Sequence, residues 1–117
     1  DIKYAKSGEI ETGDTSIIRD FVDVRDVVRA YYQLLMQGKT GEVYNICGEK
    51  GVSLADVVKE IADIVGVEIT TRVNPDFVRP GDNQMVIGSA AKICQDIGWK
   101  AEIPLRQTLT DMIEYMR

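Results

Sequence analysis

The residue pattern best suited to ligand chemistry is Arg79-Pro80-Gly81-Asp82. An arginine guanidinium can form two parallel charge-assisted hydrogen bonds to phosphate oxygens, and a carboxylate can accept hydrogen bonds from sugar hydroxyls. Residues 74–83 contain two prolines and a glycine, which predicts an irregular loop of a length that is more often functional than idle. The pattern therefore predicts a clamp for a phosphate and a ribose, and the alternative is an Arg79–Asp82 ion pair within the loop.

A second arginine, Arg19, stands just before a predicted helix. It is either an ordinary surface residue or a further phosphate ligand. Asp20, Asp23 and Asp26 follow it and crowd the start of the helix, where the helix dipole favours negative charge. We interpret these carboxylates as structural groups rather than as an acid–base pair.

The residues needed for several other chemistries are missing from the sequence. It has no histidine, the commonest general base and the commonest zinc ligand. It has no GxGxxG or GxxGxxG fingerprint for a dinucleotide, and the glycines of Gly48-Glu49-Lys50-Gly51 have the wrong spacing. Cys47 and Cys94 are interpreted as reduced, buried thiols. We therefore expect no catalytic residues and no cofactor or metal site in this chain alone.

Length and composition narrow the class of protein. The 117 residues suit one domain, 1–117, with a modest core. A net charge of −5 without a basic stripe argues against a nucleic-acid surface, and no apolar run approaches the length of about 18 residues needed to span a membrane. The sequence does not begin with methionine, so we expect a fragment of a longer chain.

Hydrophobic periodicity predicts an α/β domain of four helices and about four short strands. Helices are predicted from Asp23 to Gly38, from Ser53 to Gly66, from Ser89 to Asp96 and from Pro104 to Met116, with strands at residues 9–12, 42–47, 67–73 and 85–87. In the first helix one apolar face is formed by Val24, Val27, Val28, Tyr31, Leu34 and Leu35. The second helix is predicted to bury an apolar stripe.

Several blocks of the sequence resemble, in family order, the GDP-mannose 4,6-dehydratases and the related GDP-4-keto-6-deoxy-mannose reductases. Both belong to the extended short-chain dehydrogenases/reductases. The similar blocks are RDFVDVRDVVRAY at 19–31, GEVYNI at 41–46, the Arg79–Asp82 loop, residues 87–100, and the closing helix from Leu109 to Arg117.

The resemblance implies a small C-terminal substrate-binding domain, without the Rossmann domain that binds NADP or NAD and carries the catalytic residues. It implies that Arg19 and Arg79 contact the diphosphate of a GDP-sugar and that Asp82 binds the ribose hydroxyls. Asp14 stands where the family usually has an asparagine near the nucleotide, and a carboxylate is unfavourable beside a phosphate. The parent protein is expected to be a cytoplasmic homodimer or homotetramer.

Two alternatives stay open at this point. One is the same domain of another nucleotide-sugar epimerase or dehydratase that uses a UDP- or dTDP-sugar. The other is a standalone binding module without catalysis. Within the resembling family, the sequence does not separate the dehydratase from the reductase.

Overall fold

Short strands and helices alternate along the chain, as the computed structural model describes for residues 8–116. The helices are α1 (Val24–Gln37), α2 (Leu54–Val65), α3 (Ala91–Ile97) and α4 (Leu105–Tyr115). The strands are β1 (Gly8–Thr12), β2 (Ile18–Asp20), β3 (Gly51–Ser53), β4 (Ile69–Val73) and β5 (Met85–Val86). The predicted α/β class is confirmed. Arg117, the last residue of the closing motif, lies outside the described residues.

The strands form two small sheets, of two and three strands, among the described residues. β1 pairs in parallel with β4, from Gly8 opposite Ile69 to Thr12 opposite Val73. β2 lies between β3 and β5 and is antiparallel to β3 but parallel to β5. The connection from β1 to β2 and the connection from β4 to β5 must therefore run side by side.

The helix ends largely follow the predicted capping residues. The side chain of Asp23 accepts a hydrogen bond from the backbone N–H of Arg25 at 2.8 Å, and Ser53 accepts one from Asp56 at 3.1 Å. Both therefore satisfy N–H groups that the first turn of a helix leaves without a partner. The prediction for α3 was wrong by one residue, because its N-cap is Ala90 rather than Ser89.

The core lies where α1 and α3 meet the segment around residue 47. It consists of Ala30, Cys47, Ala90, Ile93 and Trp99. The predicted buried stripe on α2 was wrong, because no side chain of that helix is fully buried in the described structure. That helix packs one half-buried side against α4 and the small sheets.

Three further predictions need correction. Residues 42–47 do not form a strand and have no regular secondary structure. Side chains hold this segment, with the Tyr44 hydroxyl donating a hydrogen bond to Asp96 at 2.7 Å. Pro75–Phe77 forms a single 3₁₀ turn inside the stretch predicted to be irregular. Both cysteines are free thiols as predicted, but Cys94 is exposed and only Cys47 is buried.

No helix within residues 8–116 is long and apolar enough to cross a membrane.

Candidate functional site

The candidate site lies between the two parallel connections. Residues 13–17 join β1 to β2, while the longer stretch 74–84 joins β4 to β5. Their ends are fixed by backbone hydrogen bonds from Asn74 N–H to Thr12 C=O and from Ile18 N–H to Gln84 C=O, both at 2.8 Å. Because eleven residues span the same gap as five, the longer connection bulges outward beside the shorter one.

Three of the four predicted site residues meet in this bulge. Asp14, Arg79 and Asp82 line one small pocket of about 90 Å³, together with Ile17, Phe77, Val78 and Gly81. Asp14 is 65 or more residues away from the other two along the chain. The parallel pairing of both sheets is what brings them together.

Close packing of Gly13 sets the position of Asp14. A Cβ atom added to Gly13 would lie 2.9 Å from the carbonyl oxygen of Phe77, closer than real Cβ contacts allow. The absence of a side chain therefore lets the short connection lie directly against the Pro75–Phe77 turn.

Asp14 is held by its own connection. Its Oδ1 accepts hydrogen bonds from the backbone N–H of Ser16 at 2.9 Å and from the Ser16 hydroxyl at 2.5 Å. These bonds lower the pKa of the Asp14 carboxyl, so it carries a negative charge near neutral pH. Gln84 reinforces the turn by donating to the carbonyl and hydroxyl oxygens of Ser16, both at 2.8 Å. Ser16 and Gln84 could not be identified from the sequence, because isolated polar residues in a loop form no recognisable pattern.

The fourth predicted residue, Arg19, lies on β2 beside the pocket rather than in its lining. Its Nη1 donates to the carbonyl oxygens of Ile18 at 2.8 Å and of Asn83 at 2.9 Å. The contact with Asn83 anchors the residue next to Asp82. Arg19 therefore positions the loop in this structure, and it uses two of its five N–H groups to do so within the described residues.

The three aspartates of the RDFVDVRD block have structural roles, as interpreted from the sequence. Asp20 accepts hydrogen bonds from the backbone N–H groups of Gly48 and Glu49, both at 2.9 Å, and of Gly88 at 3.3 Å. Asp23 caps α1 and also accepts from Thr108 of α4 at 2.7 Å. Hydrogen bonds from Arg25 lower the pKa of the Asp23 carboxyl far below its usual range, although burial opposes this.

Asp26 connects α1 to the segment before α4. Its Oδ2 accepts from the backbone N–H groups of Glu102 and Ile103, both at 3.0 Å, and its Oδ1 accepts from Arg29 at 3.1 Å. Burial alone would raise the pKa of this carboxyl, but these hydrogen bonds outweigh burial and lower it. The Trp99 indole N–H donates to the backbone carbonyl of Asp26 at 3.0 Å, which joins the same helix to the core.

The lining of the pocket offers charged groups that can bind a ligand. It combines one guanidinium with two carboxylates, and its lining contains no histidine, cysteine, lysine or tyrosine. A guanidinium binds anions such as phosphate, whereas carboxylates accept hydrogen bonds from hydroxyl and N–H groups. A ligand with both kinds of group matches the pocket.

The chain is similar to known proteins over most of its length. A family model described as GDP-mannose 4,6 dehydratase matches residues 1–112. GDP-6-deoxy-D-mannose reductase of Pseudomonas aeruginosa is 36% identical over 104 residues, which is 89% of this chain and 34% of that protein.

Two solved structures share the fold. RMD from Pseudomonas aeruginosa complexed with NADPH has a TM-score of 0.84 and 35% identity, covering 91% of this chain and 35% of that one. UDP-glucose 4-epimerase from Thermotoga maritima with UDP-glucose has a TM-score of 0.83 and 31% identity, covering 95% of this chain and 35% of that one.

Together these matches define the fold class as that of the extended short-chain dehydrogenases/reductases. Within that class, the chain belongs to the GDP-mannose 4,6-dehydratase family. It spans about a third of the length of the relatives that it matches.

Proposed function

We propose that this chain is the C-terminal nucleotide-sugar-binding portion of an NAD(P)-dependent enzyme that acts on a GDP-sugar. The enzyme is either a GDP-mannose 4,6-dehydratase or a GDP-4-keto-6-deoxy-mannose reductase, cytoplasmic and a homodimer or homotetramer. The observation that carries the proposal is the pocket shared by Asp14, Arg79 and Asp82. The cofactor and the catalytic residues belong to the rest of the enzyme, and this chain contributes substrate positioning.

In this proposal the arginines bind the diphosphate. Arg79 precedes a proline, which restricts its backbone to an extended conformation and so limits where its side chain can reach. Its guanidinium supplies the bidentate contact to phosphate oxygens. Arg19 holds the loop through Asn83 and offers its other N–H groups to the same diphosphate.

The carboxylates bind the groups of the ligand that donate hydrogen bonds. Asp82 accepts from the ribose hydroxyls, as the resemblance implies. Asp14 is negatively charged and repels phosphate at short range, so its carboxylate accepts from a hydroxyl or a base N–H group instead. The pocket volume of about 90 Å³ accommodates a part of the nucleotide, such as the ribose, rather than the whole nucleotide.

A second candidate is the same portion of an enzyme for another nucleotide sugar. The similarity to the UDP-glucose 4-epimerase of Thermotoga maritima supports it, since that structure contains UDP-glucose. Titration of the protein with GDP, UDP and dTDP separates the two candidates. The GDP-sugar proposal expects GDP to bind most tightly, and preferred binding of UDP or dTDP would assign the second candidate.

Replacing Arg79 by alanine tests the clamp itself. Loss of a charged hydrogen bond to the diphosphate costs about 1.5–3 kcal/mol of binding free energy, and each 1.4 kcal/mol is about tenfold in Kd. Isothermal titration with GDP should therefore show affinity weakened by more than about tenfold. The matched control is Arg72→Ala, which removes an exposed arginine that pairs with Glu9 and Glu11 on the two-stranded sheet. Equal GDP affinity of the Arg79→Ala variant and the control would contradict the proposed clamp.

A further inference from the structure

The carboxylate of Asp14 is held in one orientation beside the pocket. Within residues 8–116, both hydrogen bonds that it accepts go to Oδ1, from the backbone N–H and the hydroxyl of Ser16. An ionised carboxylate has about four lone-pair sites for hydrogen bonds. About two acceptor sites therefore remain for a ligand in the pocket that Asp14 lines.

Apolar side chains stand next to this carboxylate. Ile17, Phe77 and Val78 line the same pocket as Asp14. Phe77 is 56% exposed, and its carbonyl oxygen lies against Gly13, the residue before Asp14. Aromatic and apolar side chains cover the flat faces of nucleic-acid bases, whereas polar groups read their edges. The lining of the pocket offers both kinds of contact.

The charges of the pocket separate the parts of a nucleoside diphosphate. In the proposed function the diphosphate binds to Arg79 and the ribose hydroxyls bind to Asp82. The negative charge of Asp14 repels phosphate groups, so the diphosphate lies on the side of the pocket away from Asp14. The base is the remaining part of the ligand that can donate hydrogen bonds to this carboxylate.

Among the common bases, guanine matches a group that only accepts hydrogen bonds. Its N1–H and its N2 amino group are neighbouring donors on one edge, and they match the two remaining acceptor sites of Asp14. Uracil and thymine present one N–H between two carbonyl oxygens, which a carboxylate repels. Adenine presents an acceptor nitrogen beside its amino group. We propose that Asp14 selects guanine by accepting hydrogen bonds from N1–H and from the N2 amino group, an inference that rests on the proposed function.

An asparagine at this position would select less strictly. Its amide has one oxygen that accepts and one NH₂ group that donates. It can therefore pair with the N–H and a carbonyl oxygen of uracil as well as with guanine. The aspartate of this chain lacks the donor and accepts only, which narrows the choice of base.

Titration with three diphosphates tests the proposal. Inosine diphosphate is GDP without the N2 amino group, and UDP carries the smaller base. Isothermal titration of the wild type should show GDP bound about tenfold or more tightly than inosine diphosphate, since a hydrogen bond to a charged group is lost. The Asp14→Asn variant should bind GDP about tenfold more weakly and should lose most of the preference for GDP over inosine diphosphate.

Asp76→Asn is the matched control for charge. Asp76 belongs to the adjacent Pro75–Phe77 turn and is exposed, and it does not line the pocket. The substitution removes the same negative charge close to the same ligand. We expect the ratio of the GDP and inosine diphosphate affinities to stay at the wild-type value in this variant.

Two results would overturn the proposal. One is equal affinity of the wild type for GDP and inosine diphosphate. The other is an Asp14→Asn variant that binds GDP as tightly as the wild type or more tightly, as expected if the carboxylate only repels the diphosphate. Arg79→Ala should weaken the binding of GDP, inosine diphosphate and UDP alike. If it does so while Asp14→Asn leaves the preference among bases unchanged, the proposed function stands and this inference fails, whereas a wild type that binds none of the three contradicts both.

Discussion

Replacing Asp26 by alanine removes the carboxylate that joins α1 to the segment before α4. The residue is 2% exposed, and its Oδ2 accepts two backbone N–H groups, from Glu102 and Ile103. Alanine leaves both N–H groups without this acceptor, at about 1–3 kcal/mol each. Arg29 also loses its buried partner. We expect the free energy of unfolding to fall by about 2–5 kcal/mol, mainly through the two N–H groups, because Arg29 is partly exposed and keeps its hydrogen bond to the Lys100 carbonyl.

The Asp26→Asn variant separates hydrogen bonding from charge. Its amide oxygen still accepts from the backbone N–H groups, while the charge that pairs with Arg29 is gone. We therefore expect a smaller loss, about 1–2 kcal/mol. Urea unfolding followed by the fluorescence of Trp99, the single tryptophan, measures both variants.

The matched control for this series is Asp63→Asn. Asp63 is an exposed carboxylate on α2 that pairs with Arg106 across the surface, so its loss should leave the unfolding midpoint unchanged. An Asp26→Ala variant whose free energy of unfolding lies within about 0.5 kcal/mol of the wild type would contradict this prediction, because it would show that these N–H groups find other acceptors.

Two other predictions concern the core and pH. Gly88→Ala should lower the free energy of unfolding by about 1–3 kcal/mol through overpacking, because its Cβ would lie 2.8 Å from the Cys47 sulfur. Adding Cys47→Ala should recover part of this loss in chemical unfolding. The absence of any recovery would contradict overpacking as the cause. The carboxyl pKa values of Asp23 and Asp26 are lowered in the folded state. The two carboxylates therefore stabilise the fold fully at a pH above the unfolded carboxyl pKa of about 4, and this stabilisation is lost as the pH falls further. Thermal unfolding midpoints measured from pH 7 to pH 2 should show this decline, and a smaller decline in Asp26→Asn. A midpoint independent of pH in the wild type would contradict the assignment.

The helices could be predicted because their signals are local. Asp23 and Ser53 cap helices whose apolar residues recur with helical spacing, and Gly38 and Gly66 end them. Strands depend instead on a distant partner. Residues 42–47 have the composition of a strand, yet none of the described strands pairs with them. β2 and β3 were not predicted, since three residues are too few to show an alternating pattern.

The site could be predicted in part for the same reason. Arg79 and Asp82 are close in sequence, so one loop was enough to suggest their pairing with a ligand. Their proximity to Asp14 depends on the parallel pairing of β1 with β4 and of β2 with β5, which no local pattern reveals. The burial of individual side chains on α1 could not be predicted either, because helical periodicity identifies an apolar face but not what that face contacts.

The most direct test of the nucleotide clamp is a crystal structure of the protein with GDP. We expect diphosphate oxygens within hydrogen-bond distance of the Arg79 guanidinium, about 2.7–2.9 Å. We also expect the ribose hydroxyls at the Asp82 carboxylate, with Arg19 still hydrogen-bonded to the Asn83 carbonyl. GDP bound elsewhere, or an Arg79 side chain that contacts Asp82 and not the diphosphate, would contradict it.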